Sequence, residues 1–257
     1  MRVVKNKKTV LPEVNFSDHG DVRYLHLGTE WVQGSMDLRK PYELQLEYVQ
    51  RMMAWLLFAD PATVPQRHAM QLGLGAAALT KFCWRKLRMK VTAIELNPQV
   101  VAACRLWFKL PADDARLNVI LGDAGEVAAH DHFRGQADVL QVDLYDHEAA
   151  APVLDSKAFY ADCRKLLTPD GCMVVNLFGR DASFDRSLEH ICAAFGKECV
   201  WTFRPTREGN TIVLALREPA HPQRGELARR AETIETRWGL PARKWLRVFK
   251  PLVPITT

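Results

Sequence analysis

Gln71-Leu-Gly-Leu-Gly-Ala-Ala-Ala-Leu79 is an apolar run that breaks at Gly73 and Gly75 and passes through small residues into a helix expected to reach about Arg88. Glycines let a chain turn sharply and let a ligand approach the backbone. After Lys90, Val91-Thr-Ala-Ile94 reads as a buried strand with Glu95 at its carboxyl end, and Asn97-Pro98 opens the next helix. Two more apolar runs follow. Leu117 to Leu121 leads into Gly122-Asp123, and Ala137 to Val142 ends at Asp143, with Asp146 just beyond. In an open parallel sheet, ligands bind outside the carboxyl ends of the strands, so Glu95, Asp123, Asp143 and Asp146 are expected to converge on one crevice.

The glycines alone do not choose the ligand. Gly73-x-Gly75-x-x-Ala78 with an acidic residue some twenty positions on also fits a relaxed dinucleotide fingerprint. The later carboxylates separate the two readings. At a strand end Glu95 can accept both hydroxyls of a ribose, Asp123 can accept from an exocyclic adenine amine, and a bare hydride-transfer domain needs no second acidic cluster at Asp143 and Asp146.

These residues resemble the spermidine synthase family, the polyamine aminopropyltransferases, over about Tyr24 to Arg217. The most specific stretches are Val91-Thr-Ala-Ile-Glu-Leu-Asn-Pro98, Leu117-Asn-Val-Ile-Leu-Gly-Asp123, Val139-Leu-Gln-Val-Asp-Leu-Tyr-Asp146 and Phe159-Tyr-x-x-Cys-Arg-Lys-Leu-Leu-x-Pro-Asp-Gly171. Leu25 to Gln33 is similar to the short hairpin with which such enzymes begin, and Tyr48-Val-Gln-Arg-Met52 to their tyrosine–glutamine segment. The resemblance implies an α/β, Rossmann-like seven-stranded methyltransferase fold and a homodimer. It implies decarboxylated S-adenosylmethionine as donor substrate, with Gly73 and Gly75 beside it, Glu95 on its ribose and Asp123 on its adenine. Asp143 would hold the attacking amine and Asp146 a substrate ammonium, while Gln33 and Tyr48 would line the substrate side. The acceptor would be a di- or polyamine, and no metal is needed.

Two departures from the family pattern bear on the donor. Ala76 stands at or beside the place of an aspartate that faces the donor's aminopropyl end, and the usual Asp-Ser-Ser-Asp-Pro-x-Gly-Pro appears as Asp143-Leu-Tyr-Asp146-His-Glu-Ala-Ala. Ordinary S-adenosylmethionine, which carries both charges, tolerates Ala76 better, so methyl transfer is the enzyme alternative. A non-catalytic nucleoside-binding protein is the third reading.

At 257 residues and 48% hydrophobic, the chain has the material for one substantial α/β domain with a small appendage. The appendage is expected over residues 1–60, with a hairpin near Val22 to Val32 and a helix from about Tyr42 to Phe58. The nucleoside-binding domain is expected over 61–257. Its second half reads as a helix near Ala158 to Leu167, a strand Cys172 to Leu177, a helix near Phe184 to Phe195, and a pair of strands around Arg207-Glu-Gly-Asn210. The polar start and the absence of a long apolar run suggest no membrane span and a cytoplasmic location. Six scattered cysteines without a Cys-x-x-Cys pair read as buried thiols. His130-Asp-His132 lacks a third ligand for a metal. The net charge of +5 comes without a nucleic-acid motif, and a cationic substrate would require the acidic cleft to dominate locally.

Overall fold

The computed structural model describes residues 11–145, 154–178 and 182–254. β1 (Val14–His19), β2 (Val22–Leu27) and β3 (Gly34–Asp37) form a three-stranded antiparallel sheet in that order. The expected Val22 to Val32 hairpin is therefore displaced. Val22 pairs with His19 on one side and with Asp37 on the other, and residues 28–33 form the connection. Trp31 and Val32 stay exposed in that connection instead of joining a ladder.

The expected Tyr42 to Phe58 helix is broken. α1 covers only Glu47–Arg51, followed by a 3-10 turn at Ala54–Leu57. Leu44, Met52 and Trp55 are buried as their spacing suggests. The residue before α1, Leu46, has extended backbone and no capping side chain, so nothing carries the helix further back. Packing on all sides of residues 52–57 then favours the tighter turn over a one-sided amphipathic helix.

From here the strands and helices alternate. β4 (His68–Leu72), α2 (Ala78–Arg85), β5 (Lys90–Glu95), α3 (Pro98–Trp107), β6 (Leu117–Leu121), α4 (Ala124–Ala129), β7 (Ala137–Val142), α5 (Lys157–Leu166) and β8 (Leu167–Phe178) come first. α6 (Ala182–Phe195), β9 (Val200–Phe203), β10 (Asn210–Leu216), α7 (Arg224–Trp238), α8 (Ala242–Val248) and β11 (Phe249–Pro251) complete the chain. The sheet order is β11-β9-β10-β8-β7-β4-β5-β6, parallel from β8 to β6 and antiparallel around β9, β10 and β11. The described sheet thus has eight strands where seven were expected. The addition is the short edge strand β11, which follows α8 and pairs with β9.

The expected closing hairpin forms, with Thr202 opposite Val213. Pro169-Asp-Gly171 leaves the ladder, since Leu167 pairs with Ala137 and Cys172 already with Val139. The chain steps outward from β4 to β6 and then crosses back to β7 on β4's other side, so the order reverses between β4 and β7. Their facing ends are the switch point at which such sheets take ligands. β4 and β10 are buried along their whole length, as strands covered on both faces must be. Leu25, Met36 and Met52 from the N-terminal elements join the same core. Among the described residues, no helix is long and apolar enough to cross a membrane.

Candidate active site

A cavity of about 870 Å³ opens at the carboxyl ends of β4, β5, β7 and β8, roofed by the β2–β3 connection and α1. Its floor is the turn after β4. The N–H of Gly73 donates to the Ile94 carbonyl (2.9 Å), and the N–H of Asp143 donates to the Leu72 carbonyl (3.0 Å), which extends both ladders past the strand ends. Gly73 has φ +90°, and a Cβ there would lie 2.3 Å from the Asp143 carbonyl oxygen. Only glycine allows that approach. Gly75 (φ +49°) borders the cavity two residues on, against the Gln33 carbonyl.

Glu95 ends β5 and ties two turns together. Its Oε2 accepts from the Leu74 N–H (3.0 Å) and its Oε1 from the Asn97 N–H (2.8 Å). Burial raises its pKa, and the N–H groups of Asn97, Leu74 and Leu96 oppose that rise. An ionised carboxylate has about four acceptor positions, so each oxygen keeps capacity toward the cavity. Asn97 also caps α3 by accepting from the Gln99 N–H (2.9 Å), and it donates to the Pro12 carbonyl (3.0 Å), which seats the start of the described chain over this side.

Asp123 caps α4, its Oδ1 accepting from the N–H groups of Gly125 (2.7 Å) and Glu126 (3.1 Å). It does so while still bordering the cavity. Ile94, Leu96, Val100 and Leu154 give this half apolar walls between the two carboxylates. A flat apolar ring with polar edges and a diol matches that chemistry.

Asp143 stands at the other half. Its Oδ1 accepts from Asn176 Nδ2 (2.9 Å), and the Tyr48 phenol hydrogen-bonds to it. Burial pushes its carboxyl up to about 6, with the Asn176 and Tyr48 contacts pulling the other way. The same burial and the Asp143 charge hold the Tyr48 phenol well above its ordinary value. Gln33, Tyr48, Gly73, Gly75, Glu95, Asp123 and Asp143 thus all line one cavity. Asp146 lies outside the described residues. In the tyrosine–glutamine segment only Tyr48 lines the cavity; Gln50 Nε2 donates to the Leu44 carbonyl (2.8 Å).

Several lining residues were not foreseen. Glu30, Glu47 and Glu208 bring the carboxylates at the described wall to six, with Glu95, Asp123 and Asp143, and no Lys, Arg or His joins them there. Glu47 is ion-paired with Arg51 (2.6 Å), whose guanidinium also donates to the Arg204 carbonyl (2.6 Å). Asn176 and Asn210 are buried at the Asp143 end, and Asn210 Nδ2 donates to Asn176 Oδ1 (3.1 Å). A polar residue inside Met173-Val-Val-Asn-Leu177 was the available signal. His130 and His132 form a local turn, with His130 Nδ1 accepting from the His132 N–H (3.1 Å), so they read as loop residues.

Residues 76–206 match a family model described as the spermine/spermidine synthase domain. The polyamine aminopropyltransferase of Neisseria meningitidis is 34% identical over 255 residues, covering 98% of this chain and 95% of that protein. A probable spermidine synthase from Corynebacterium glutamicum shares the fold, with a TM-score of 0.68 at 19% identity over 89% of this chain and 85% of that one. Human methyltransferase-like protein 13, solved with SAH, also superposes, with a TM-score of 0.64 at 22% identity over 77% of this chain and 93% of the other. At these identities the likeness shows the fold alone and does not choose between the two reactions considered from the sequence.

Proposed function

The chain belongs to the spermine/spermidine synthase family of polyamine aminopropyltransferases, and from that membership we propose that it transfers an aminopropyl group from decarboxylated S-adenosylmethionine to a di- or polyamine. The observation that carries this reading is the charge of the cavity. Six carboxylates and no cationic side chain line its described wall, in a chain whose formal net charge is +5. Such a cleft concentrates cations locally against the sign of the whole surface.

In this reading Glu95 accepts the ribose hydroxyls and Asp123 the adenine amine. The glycine turn lets the sulfonium approach the backbone. Asp143 holds the acceptor's reacting nitrogen beside Tyr48 and Gln33, and Asp146 is assigned to another ammonium by family resemblance. Asp143 takes a proton from the acceptor's ammonium, and the nitrogen lone pair so freed attacks the carbon next to the sulfonium. The carbon–sulfur bond breaks, its electron pair stays on sulfur, and methylthioadenosine leaves. The product amine leaves as an ammonium, and Asp143 releases the proton it took to water. Holding the two reactants in line accounts for about 7–11 kcal/mol of such a barrier, more than one acid–base group supplies.

The same charges support the decarboxylated donor. Ordinary S-adenosylmethionine would bring a carboxylate into a site with no described cation to receive it. A like charge at roughly 8 Å costs about 2 kcal/mol at an effective dielectric of about 20, or roughly thirtyfold in affinity. Ala76 weighs less against the decarboxylated donor than its sequence position suggests. Its methyl is buried against Gly34, where a Cβ would lie 2.7 Å away. A side chamber of about 20 Å³ remains, bordered by Ser35, Ala76, Tyr48 and Asp143. That is room for one water- or ammonium-sized group, and the buried Ser35 hydroxyl has no hydrogen-bond partner among the described residues.

Isothermal titration calorimetry with both donors tests this assignment. The decarboxylated donor is expected to bind about thirtyfold more tightly than S-adenosylmethionine. Glu95→Ala is expected to weaken both donors and methylthioadenosine alike, since all three carry the ribose. Equal affinity of the native protein for the two donors would remove the electrostatic basis for choosing between them.

A further inference from the structure

We propose that Asn210 is a positioning residue for Asp143, acting through the side-chain amide of Asn176, whose orientation it fixes. This rests on the reading of Asp143 as the group that holds the attacking amine. Three side chains, one on β10, one on β8 and one just past the end of β7, are joined end to end. Asn210 Nδ2 donates to Asn176 Oδ1 (3.1 Å), and Asn176 Nδ2 donates to Asp143 Oδ1 (2.9 Å). Asn176 is 3% exposed and Asn210 9%. Water therefore has little access to replace either bond.

A primary amide has a donor end and an acceptor end, and rotating it by half a turn exchanges them. An ionised carboxylate accepts only, so Asn176 must show Asp143 its NH₂. Its carbonyl then points toward β10 and needs a donor, which Asn210 supplies. Asn210 is itself held at the start of β10. Its N–H donates to Thr206 Oγ1 (3.2 Å), and its carbonyl accepts from the Thr206 N–H (2.8 Å). The Asn176 main chain is fixed separately, its carbonyl accepting from the Tyr145 phenol (2.8 Å). The β9–β10 turn thus sets the direction of the chain that ends on Asp143. Tyr48 from α1 and Tyr145 after β7 are the titratable groups whose interaction with Asp143 is resolved.

Two substitutions separate this role from simple support of the hairpin. Asn210→Leu keeps the branched shape of the side chain and removes the donor; Asn210→Asp offers Asn176 a second carboxylate that competes for its NH₂. Asn210→Leu is expected to lower kcat about fivefold, the worth of roughly 1 kcal/mol of hydrogen bonding. Asn210→Asp is expected to lower it further and to move the acid limb of the pH–rate profile upward by about one unit, because an acceptor and a like charge both disfavour ionised Asp143. Methylthioadenosine affinity should stay at the native level in both. A ¹³C-carboxyl NMR titration of Asp143, identified by the signal missing in Asp143→Asn, should show the same upward displacement. That readout does not depend on turnover, so a failure of aminopropyl transfer would be seen separately from a failure of this link. Variants that lose thermal stability and activity while the Asp143 titration stays at its native midpoint would reduce Asn210 to a hairpin residue and overturn the proposal. So would variants that leave kcat and the titration unchanged.

Discussion

Asp143→Asn is expected to lower kcat at neutral pH by about 10²–10⁴-fold, the usual worth of a positioned proton acceptor, while methylthioadenosine binds within about twofold of the native affinity. The substitution keeps the size of the side chain. It removes both the charge that holds an ammonium and the oxygen that can take its proton. Glu95 and Asp123, at the other half of the cavity, are untouched.

The pH dependence gives the same prediction a second edge. Burial raises the Asp143 carboxyl to about 6. Its ionised form accepts the proton, so log kcat/KM for the amine should be level above that value and fall with unit slope as the pH drops through it. The acceptor's alkylammonium, with a pKa of roughly 10, stays protonated across this window and adds no limb there. In Asp143→Asn the limb should disappear along with most of the rate. A variant that keeps native kcat, or a native enzyme without an acid limb near 6, would exclude Asp143 as the proton acceptor.

Gly73→Ala is expected to meet the closest contact of any described glycine given a Cβ. The added carbon would lie 2.3 Å from the Asp143 carbonyl oxygen, at a φ of +90°. A non-glycine residue held in a sparsely populated backbone region costs about 1–3 kcal/mol, and overpacking adds a similar amount. With about 2–4 °C per kcal/mol for a chain of this size, the midpoint of thermal unfolding should fall by roughly 4–24 °C. Relief of the contact would push Asp143 away from Gly73, so the remaining folded protein should also turn over poorly. Gly75→Ala is the comparison: its Cβ would meet the Gln33 carbonyl at 3.0 Å, a contact that a small shift can ease. Differential scanning calorimetry of the two variants should rank them in that order, and an unchanged midpoint in Gly73→Ala would mean that β4 and β7 do not approach as described.

The sheet was legible because each central strand is an apolar run ended by a glycine or a carboxylate. Gly73, Glu95, Asp123 and Asp143 all fall at such ends, and that is why they meet. The same pattern could not show that Asp123 also caps α4, because a strand-end carboxylate and a helix cap share one local sequence. Asn176 and Asn210 stand 34 residues apart and touch only through the register of β8 and β10, which depends on tertiary pairing. Glu30, Glu47 and Glu208 come to the wall from a connection, a five-residue helix and a hairpin turn, none of which has a period to read. Leu44, Met52 and Trp55 are buried at helical spacing, but that spacing could not distinguish a continuous helix from a short helix followed by a 3-10 turn. β11 is three residues long and is a strand only because β9 offers an open edge.

Mass-spectrometric detection of products tests aminopropyl transfer most directly. The purified protein is incubated with putrescine, spermidine or cadaverine and, in separate reactions, with decarboxylated or ordinary S-adenosylmethionine. The expected result is an aminopropylated amine and methylthioadenosine in equal amounts from the decarboxylated donor alone, with the productive amine naming the acceptor. Methylated product with S-adenosylhomocysteine from the ordinary donor, or no product from either, would contradict it.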